Sequence, residues 1–196
     1  MMNQKEFFDQ IAKDWDNRIE VNEGKINTLL SKIGIKDKDK ILDVGTGTGV
    51  LIPFLTNLNP NGYIKGVDIS KGMLEVASDK FKNYKNVSFE ITDVEKDIID
   101  DRYDKIILYS MFPHLQNKTM TIKSLVKNNL KKDGKLIIAH SNSREFLNNM
   151  HKEVNESVSE DRLIPIDKQR NLFEEIGLDV EQAFENDEIY YIVIKK

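Results

Sequence analysis

Three glycines at alternate positions, Gly45, Gly47 and Gly49, follow the apolar run Ile41-Leu42-Asp43-Val44 and precede a second one, Val50 to Leu55. Glycine permits a left-handed backbone and leaves no Cβ between the loop and a ligand lying on it. Such a turn seats a nucleotide-like molecule on main-chain amides. A dinucleotide fingerprint has the spacing G-x-G-x-x-G, whereas this chain reads Asp43-x-Gly45-x-Gly47-x-Gly49. An acidic residue two places before the first glycine is a poor neighbour for a pyrophosphate. Asp68 lies 19 residues beyond Gly49 at the end of a second apolar run, where a carboxylate can accept two hydrogen bonds from a ribose diol. Asp93 follows a third run in the same way.

The chain has three histidines, His114, His140 and His151. The first two fall just after the fourth and fifth expected strands, and in an open α/β sheet ligands sit beyond the carboxyl ends of the strands. His151 comes 11 residues after His140, within reach if a helix folds back over the site. Three readings stay open at this stage. The histidines act as general base or substrate hydrogen-bonders, or together hold a divalent metal, or are ordinary polar residues. Arg144 either pairs with a substrate carboxylate or phosphate or bridges to Glu145 or solvent.

The elements that must position these residues follow from periodicity. Residues 3 to 32 read as helical, with Phe7, Phe8, Ile11 and Trp15, then Ile26, Leu29, Leu30 and Ile33, at three- and four-residue intervals. This aromatic face either packs on the domain or forms a lid over the site. Strands are expected at Ile41 to Val44, Tyr63 to Val67, Val87 to Ile91, Tyr103 to Tyr109 and Lys135 to His140. Helices are expected over 71 to 82, 117 to 131 (stopped at Asp133-Gly134), 143 to 151 and 168 to 176. Two strands, 178 to 184 and 188 to 194, close the chain as a hairpin. The polar stretch near 152 to 162 is the expected mobile element.

At 196 residues, 39% hydrophobic and 32% charged, the chain fits one globular domain. There are 29 basic and 33 acidic residues and no basic run interleaved with aromatics, so no nucleic-acid surface is expected. The absence of cysteine removes disulfides, thiolate metal sites and a cysteine nucleophile. The start lacks the features of a signal peptide, and no stretch approaches the ~18 apolar residues of a membrane span. A cytoplasmic protein, monomer or homodimer, is expected.

Asp43 to Gly49, Asp68, Asp93, the strand end at 103 to 115 and the closing hairpin together resemble the class I S-adenosylmethionine (SAM) dependent methyltransferases over residues 35 to 196. The small-molecule branch that includes the ubiquinone and menaquinone biosynthesis methyltransferases is the most similar in flavour. The resemblance implies an α/β, Rossmann-like three-layer sandwich with a mostly parallel seven-stranded sheet and an antiparallel strand in the C-terminal hairpin. It would form a single methyltransferase domain, with 1 to 34 as a helical lid segment and 35 to 196 as the SAM-binding core. It implies in-line methyl transfer from SAM to a small-molecule acceptor. Gly45, Thr46, Gly47 and Gly49 would then form the cofactor turn, with Asp43 on the ammonium side of the methionyl group. Asp68 would take the ribose hydroxyls, Ile69 and Met73 an adenine face, Asp93 the adenine amine, Val94 the ring through its amide, and Tyr109 would flank the cofactor.

His114, His140, His151 and Arg144 remain as acceptor-side residues, with the three histidines as the candidate metal set. Ser110-Met111-Phe112-Pro113-His114 departs from the N/D/S-P-P-Y/F/W motif of enzymes that methylate base amines or protein glutamine, which argues against such substrates. Two rivals are a nucleotide-dependent oxidoreductase and a SAM-binding regulator or partner subunit without turnover of its own.

Overall fold

The computed structural model describes residues 3–154 and 161–196, with side chains described outside 151–160. It opens with α1 (Gln4–Ile11), a 3-10 turn (Ala12–Asp14), α2 (Trp15–Arg18) and α3 (Glu23–Ile33). The helical segment expected over 3 to 32 is thus built from separate pieces. Asn3 and Glu6 close a capping box on α1, and Asn22 accepts from the Lys25 amide to start α3 afresh. Ile26, Leu29, Leu30 and Ile33 of α3 are all buried, so the stripe seen in the sequence is core, each side chain contributing about 1.5–3 kcal/mol of burial.

The core then alternates: β1 (Lys40–Val44), α4 (Ile52–Leu58), β2 (Tyr63–Asp68), α5 (Lys71–Lys80), β3 (Val87–Ile91), β4 (Tyr103–Tyr109), α6 (Lys118–Ser124), β5 (Leu130–His140), α7 (Arg144–Val154), α8 (Ile166–Glu175), β6 (Asp179–Glu185) and β7 (Tyr190–Lys195). The seven strands lie in the order β3-β2-β1-β4-β5-β7-β6. All neighbours pair in parallel except β7, which runs antiparallel to both β5 and β6. This is the expected Rossmann-like sheet with its closing hairpin. Apolar residues on both faces explain the near-continuous hydrophobic strands. Leu42, Ile106 and Ile138 face one core with Phe112 and Phe173. Ile41, Ile107 and Ile137 face the other with α3 and α4.

One boundary differs. The helix expected to reach residue 131 leaves α-geometry after Ser124, widens into a π-turn over Leu125–Asn129 and enters β5 at Leu130. The Asn129 side chain donates to the carbonyls of Ile99 and Asp101, and Arg102 donates to the Leu130 carbonyl. Those bonds draw the chain into the sheet early. Asp133, at φ +62, lies in an irregular stretch of β5 rather than at a helix stop. No helix of the described residues is long and apolar enough to cross a membrane.

Because β1 is central and its neighbours β2 and β4 lead to opposite halves of the sheet, the strand order reverses at β1. The crevice beyond its carboxyl end is where an open α/β sheet binds its ligand.

Candidate functional site

A cavity of about 390 Å³ opens there, lined from β1, β2, β4 and β5 and covered by α1 and α2. Its floor is the glycine turn. The Gly45 and Thr46 amides both donate to the Val67 carbonyl, at 2.8 and 3.1 Å, which ties the turn to β2. Gly45 has φ +68, and a Cβ on it would sit 2.7 Å from the Met111 side chain, so turn and β4 loop meet with no room for a larger residue. The Gly47 amide donates to Asp68 Oδ2 at 2.9 Å.

Gly49 departs from expectation. It does not line the cavity; a Cβ there would fall 2.5 Å from Phe81. The contact it makes is the packing of the turn on Phe81 after α5, not one on the cavity.

Asp43, Thr46, Asp68, Ile69, Met73, Asp93, Val94 and Tyr109 all line the cavity. Asp43 is 2% exposed and accepts from the Thr46 hydroxyl at 2.6 Å. Burial, aided by the Asp68 carboxylate and opposed by the Thr46 bond, pushes Asp43 up to about 7. A buried carboxylate held so poorly ionised fits a ligand that brings a positive charge. Asp68 is also pushed upward, first by burial, against the pull of the Ser70 and Gly47 amides. Its Oδ1 accepts from the Ser70 amide at 2.9 Å, yet each carboxylate oxygen has a second lone pair for a diol. Asp93 pairs with Lys96 at 2.7 Å and accepts from the Glu95 amide at 3.0 Å.

The other half of the cavity is built on the ends of β4 and β5. Tyr109 donates to Ser141 at 2.7 Å. Ser110 adopts φ +55, a left-handed backbone that costs a non-glycine residue about 1–2 kcal/mol and turns the chain into the short 3-10 turn Phe112–His114. His114 Nδ1 lies 2.6 Å from Asp161 Oδ2, and its ring meets Phe8 edge-on at 5.5 Å. His140 is 1% exposed and stacks edge-on with Tyr190 at 6.0 Å. Both histidines line the cavity.

One other expectation changes. Arg144 does not line the cavity; its Nε donates to Glu185 on β6 at 2.9 Å, a pairing partner 41 residues away that neither reading of it anticipated. His151 lies on α7 with its side chain outside the described residues. Among the described residues no group of three or more His, Cys, Asp or Glu could hold a metal ion; the three-histidine set includes His151 and so lies partly outside the described residues.

The structure adds residues the sequence did not single out. Glu95 lines the cavity and accepts from the Gln116 and Asn117 amides at 3.0 and 2.6 Å, joining the Asp93 loop to the loop after His114. Gln4 Nε2 on α1 donates to Asp161 Oδ2 at 3.3 Å and to the His114 carbonyl at 3.4 Å. Asp161 sits 47 residues from His114 in a polar stretch, with no local pattern to mark it.

The geometry can now be set beside known proteins. A family model described as "Methyltransferase domain" matches residues 35–195. A malonyl-(acyl-carrier protein) O-methyltransferase of Acetivibrio thermocellus is 37% identical over 131 residues, 66% of this chain and 46% of that protein. One from Bacillus cytotoxicus is 30% identical over 143 residues, 71% of this chain and 50% of that protein. The chain thus spans about half the length of these curated relatives. Among solved structures, a SAM dependent methyltransferase from Aquifex aeolicus superposes with a TM-score of 0.74 at 19% identity, over 95% of this chain and 97% of that one. At that identity the likeness speaks to fold alone.

Proposed function

The chain belongs to the class I SAM-dependent methyltransferase family, and on that premise we propose that it transfers the methyl group of SAM to a small-molecule acceptor by in-line displacement. The observation that carries this reading is the single cavity in which Asp43, Gly47, Asp68 and Asp93 face His114 and His140. The first four residues suit the cofactor: Asp43 the cationic methionyl end, the Gly45–Gly47 turn its backbone-facing side, Asp68 the ribose and Asp93 the adenine amine. SAM supplies an activated methyl group on a good leaving group. The protein's task is then to align the acceptor and exclude water.

The second half of the cavity, with Phe8, Trp15, His114 and Met150, supports an acceptor site within this chain rather than a regulator without turnover. The named relatives act on a malonyl group carried by a protein, an acceptor of different kind from a quinone ring, and both lie within the small-acceptor class proposed here. The lack of cysteine suits a reducing cytoplasm. The test is the formation of S-adenosylhomocysteine (SAH) from SAM over a panel of small acceptors, with the methylated product identified by its mass. No product across the panel, despite bound SAM, would favour the regulator.

Asp43 makes cofactor binding depend on pH. Its carboxyl titrates at about 7 in the free protein, and a bound ammonium favours its charged form, so binding releases a proton below that pH. Affinity for SAH is expected to rise by up to about tenfold per unit as pH climbs toward 7 and then to level off. Titrations at several pH values check this; Asp43→Asn should flatten the slope, and a slope unchanged in that variant would remove Asp43 from the role.

We read α1 and α2 as a lid. Asp9 Oδ1 accepts from the Ser70 hydroxyl at 2.7 Å and the Gly72 amide at 2.8 Å, at the start of α5. Asp16 accepts from Thr48 at 2.5 Å and Lys80 at 2.7 Å. Asp9→Ala leaves two donors without their acceptor, a loss of about 1–3 kcal/mol in docking. Amide hydrogen exchange over residues 4–18 should then quicken by one to two orders of magnitude, while α3 stays protected. Unchanged exchange would mean that Asp9 does not hold the lid.

A further inference from the structure

We propose that Asp161 is the positioning residue for His114 and that the pair serves an acceptor hydroxyl, so that this chain methylates an alcohol or phenol oxygen rather than a carboxylate. The inference rests on the methyltransferase reading above and narrows its acceptor. The geometry starts from the 2.6 Å contact between His114 Nδ1 and Asp161 Oδ2, between side chains only 15% and 10% exposed. An ionised carboxylate accepts and does not donate. Nδ1 therefore carries the hydrogen, and in the neutral ring the basic lone pair belongs to Nε2. Phe8, edge-on to the imidazole at 5.5 Å, and Gln4, donating to both Asp161 and the His114 carbonyl, fix the pair from the lid side. The dyad is thus assembled from the β4 loop, the segment before α8 and α1, and is complete when the lid is docked.

Charge around the cavity argues in the same direction. Among the described residues Lys96 is the one Lys or Arg that lines it, and it is paired with Asp93 on the cofactor side. Arg144, at the start of α7, is turned to Glu185, and Lys118, four residues after His114, donates its ammonium to the Leu115 carbonyl. Glu20, Glu95 and His140 line the cavity in place of cations. A carboxylate acceptor would arrive already ionised, would need a cation to hold it and would have no proton to lose. A hydroxyl needs what is present. As the acceptor oxygen forms its bond to the methyl carbon, the carbon–sulfur bond breaks with its electron pair going to sulfur, and the hydroxyl proton passes to His114 Nε2. Asp161 stabilises the resulting imidazolium, and the proton leaves to water once product has gone.

The experiment uses the whole chain with SAM and two sets of probes: 4-substituted phenols from 4-methylphenol to 4-nitrophenol, and the N-acetylcysteamine thioester of malonate. Wild type is expected to methylate the phenols. Asp161→Asn, which keeps a hydrogen-bonding side chain but removes the carboxylate, should lower kcat for 4-methylphenol about 100-fold and leave KM for SAM within about twofold. For 4-nitrophenol, which is ionised at mildly alkaline pH and needs no base, the loss should shrink to a few-fold; Asp161→Glu should restore part of the rate. The 15N shifts of His114 in wild type, expected to show the Nδ1–H form, provide a readout independent of how well the variants fold. Equal losses along the phenol series, an Nε2–H ring, turnover confined to the malonyl thioester, or SAH binding with no phenol methylated would each overturn the proposal. Failure of wild type to bind SAH at all would instead overturn the methyltransferase reading beneath it.

Discussion

Asp68→Ala is expected to weaken SAH binding roughly 5- to 150-fold, about 1–3 kcal/mol, the cost of removing one well-placed polar partner from a shielded site. In the free protein the carboxylate already orders the site: Oδ2 receives the Gly47 amide at 2.9 Å and Oδ1 the Ser70 amide at 2.9 Å. It therefore holds the glycine turn against the end of β2 and leaves lone pairs for the ribose diol. The truncation strips both amides of their acceptor and removes the ribose contact together. Asp68→Asn separates these roles, because its amide oxygen can serve one of the two amides while the site loses its charge. Calorimetric titration of both variants, with circular dichroism to establish folding, is the measurement. Affinity unchanged in a folded Asp68→Ala variant would place the ribose elsewhere.

Phe112→Ala carries the largest expected loss of stability. The side chain is fully buried and meets Phe173 of α8 edge-on at 6.1 Å, so truncation leaves a cavity among strands, α6 and α8 that the sheet cannot collapse to fill. Large-to-small changes of this kind cost about 3–5 kcal/mol. For a chain of this size that lowers the thermal midpoint by roughly 6–20 °C. Because Phe112 begins the turn that ends at His114, the variant should also lose acceptor turnover at temperatures where it remains folded. A shift of less than a degree or two would mean that the turn is not anchored through this ring.

The parallel core was legible because its central strands are apolar on both faces and some of its helices carry a cap or a glycine stop, as α3 does with Asn22 and Gly34. Ser70 accepting from the Met73 amide at 3.1 Å is one such signal. The residues that line the cavity were legible for a related reason: most lie within a few positions of a strand end, and strand ends converge. The packing of Gly49 on Phe81 was not legible, because spacing alone does not tell a ligand-facing glycine from one pressed on a side chain. Arg144 was misread because its partner, Glu185, is contributed by the closing hairpin. The early start of β5 was hidden by Lys131-Lys132-Asp133-Gly134, which carries the composition of a helix stop. Asp161 was invisible, since a single acidic residue in a polar stretch acquires meaning only when the fold lays it against His114.

The most direct test of the central claim is calorimetric titration of SAH into the wild-type protein at pH 8, repeated at pH 6. The account predicts one site per chain with micromolar affinity at the higher pH and weaker binding at the lower, because Asp43 must ionise to receive the cationic end of the ligand. No heat of binding at either pH would contradict the assignment of this cavity to SAM.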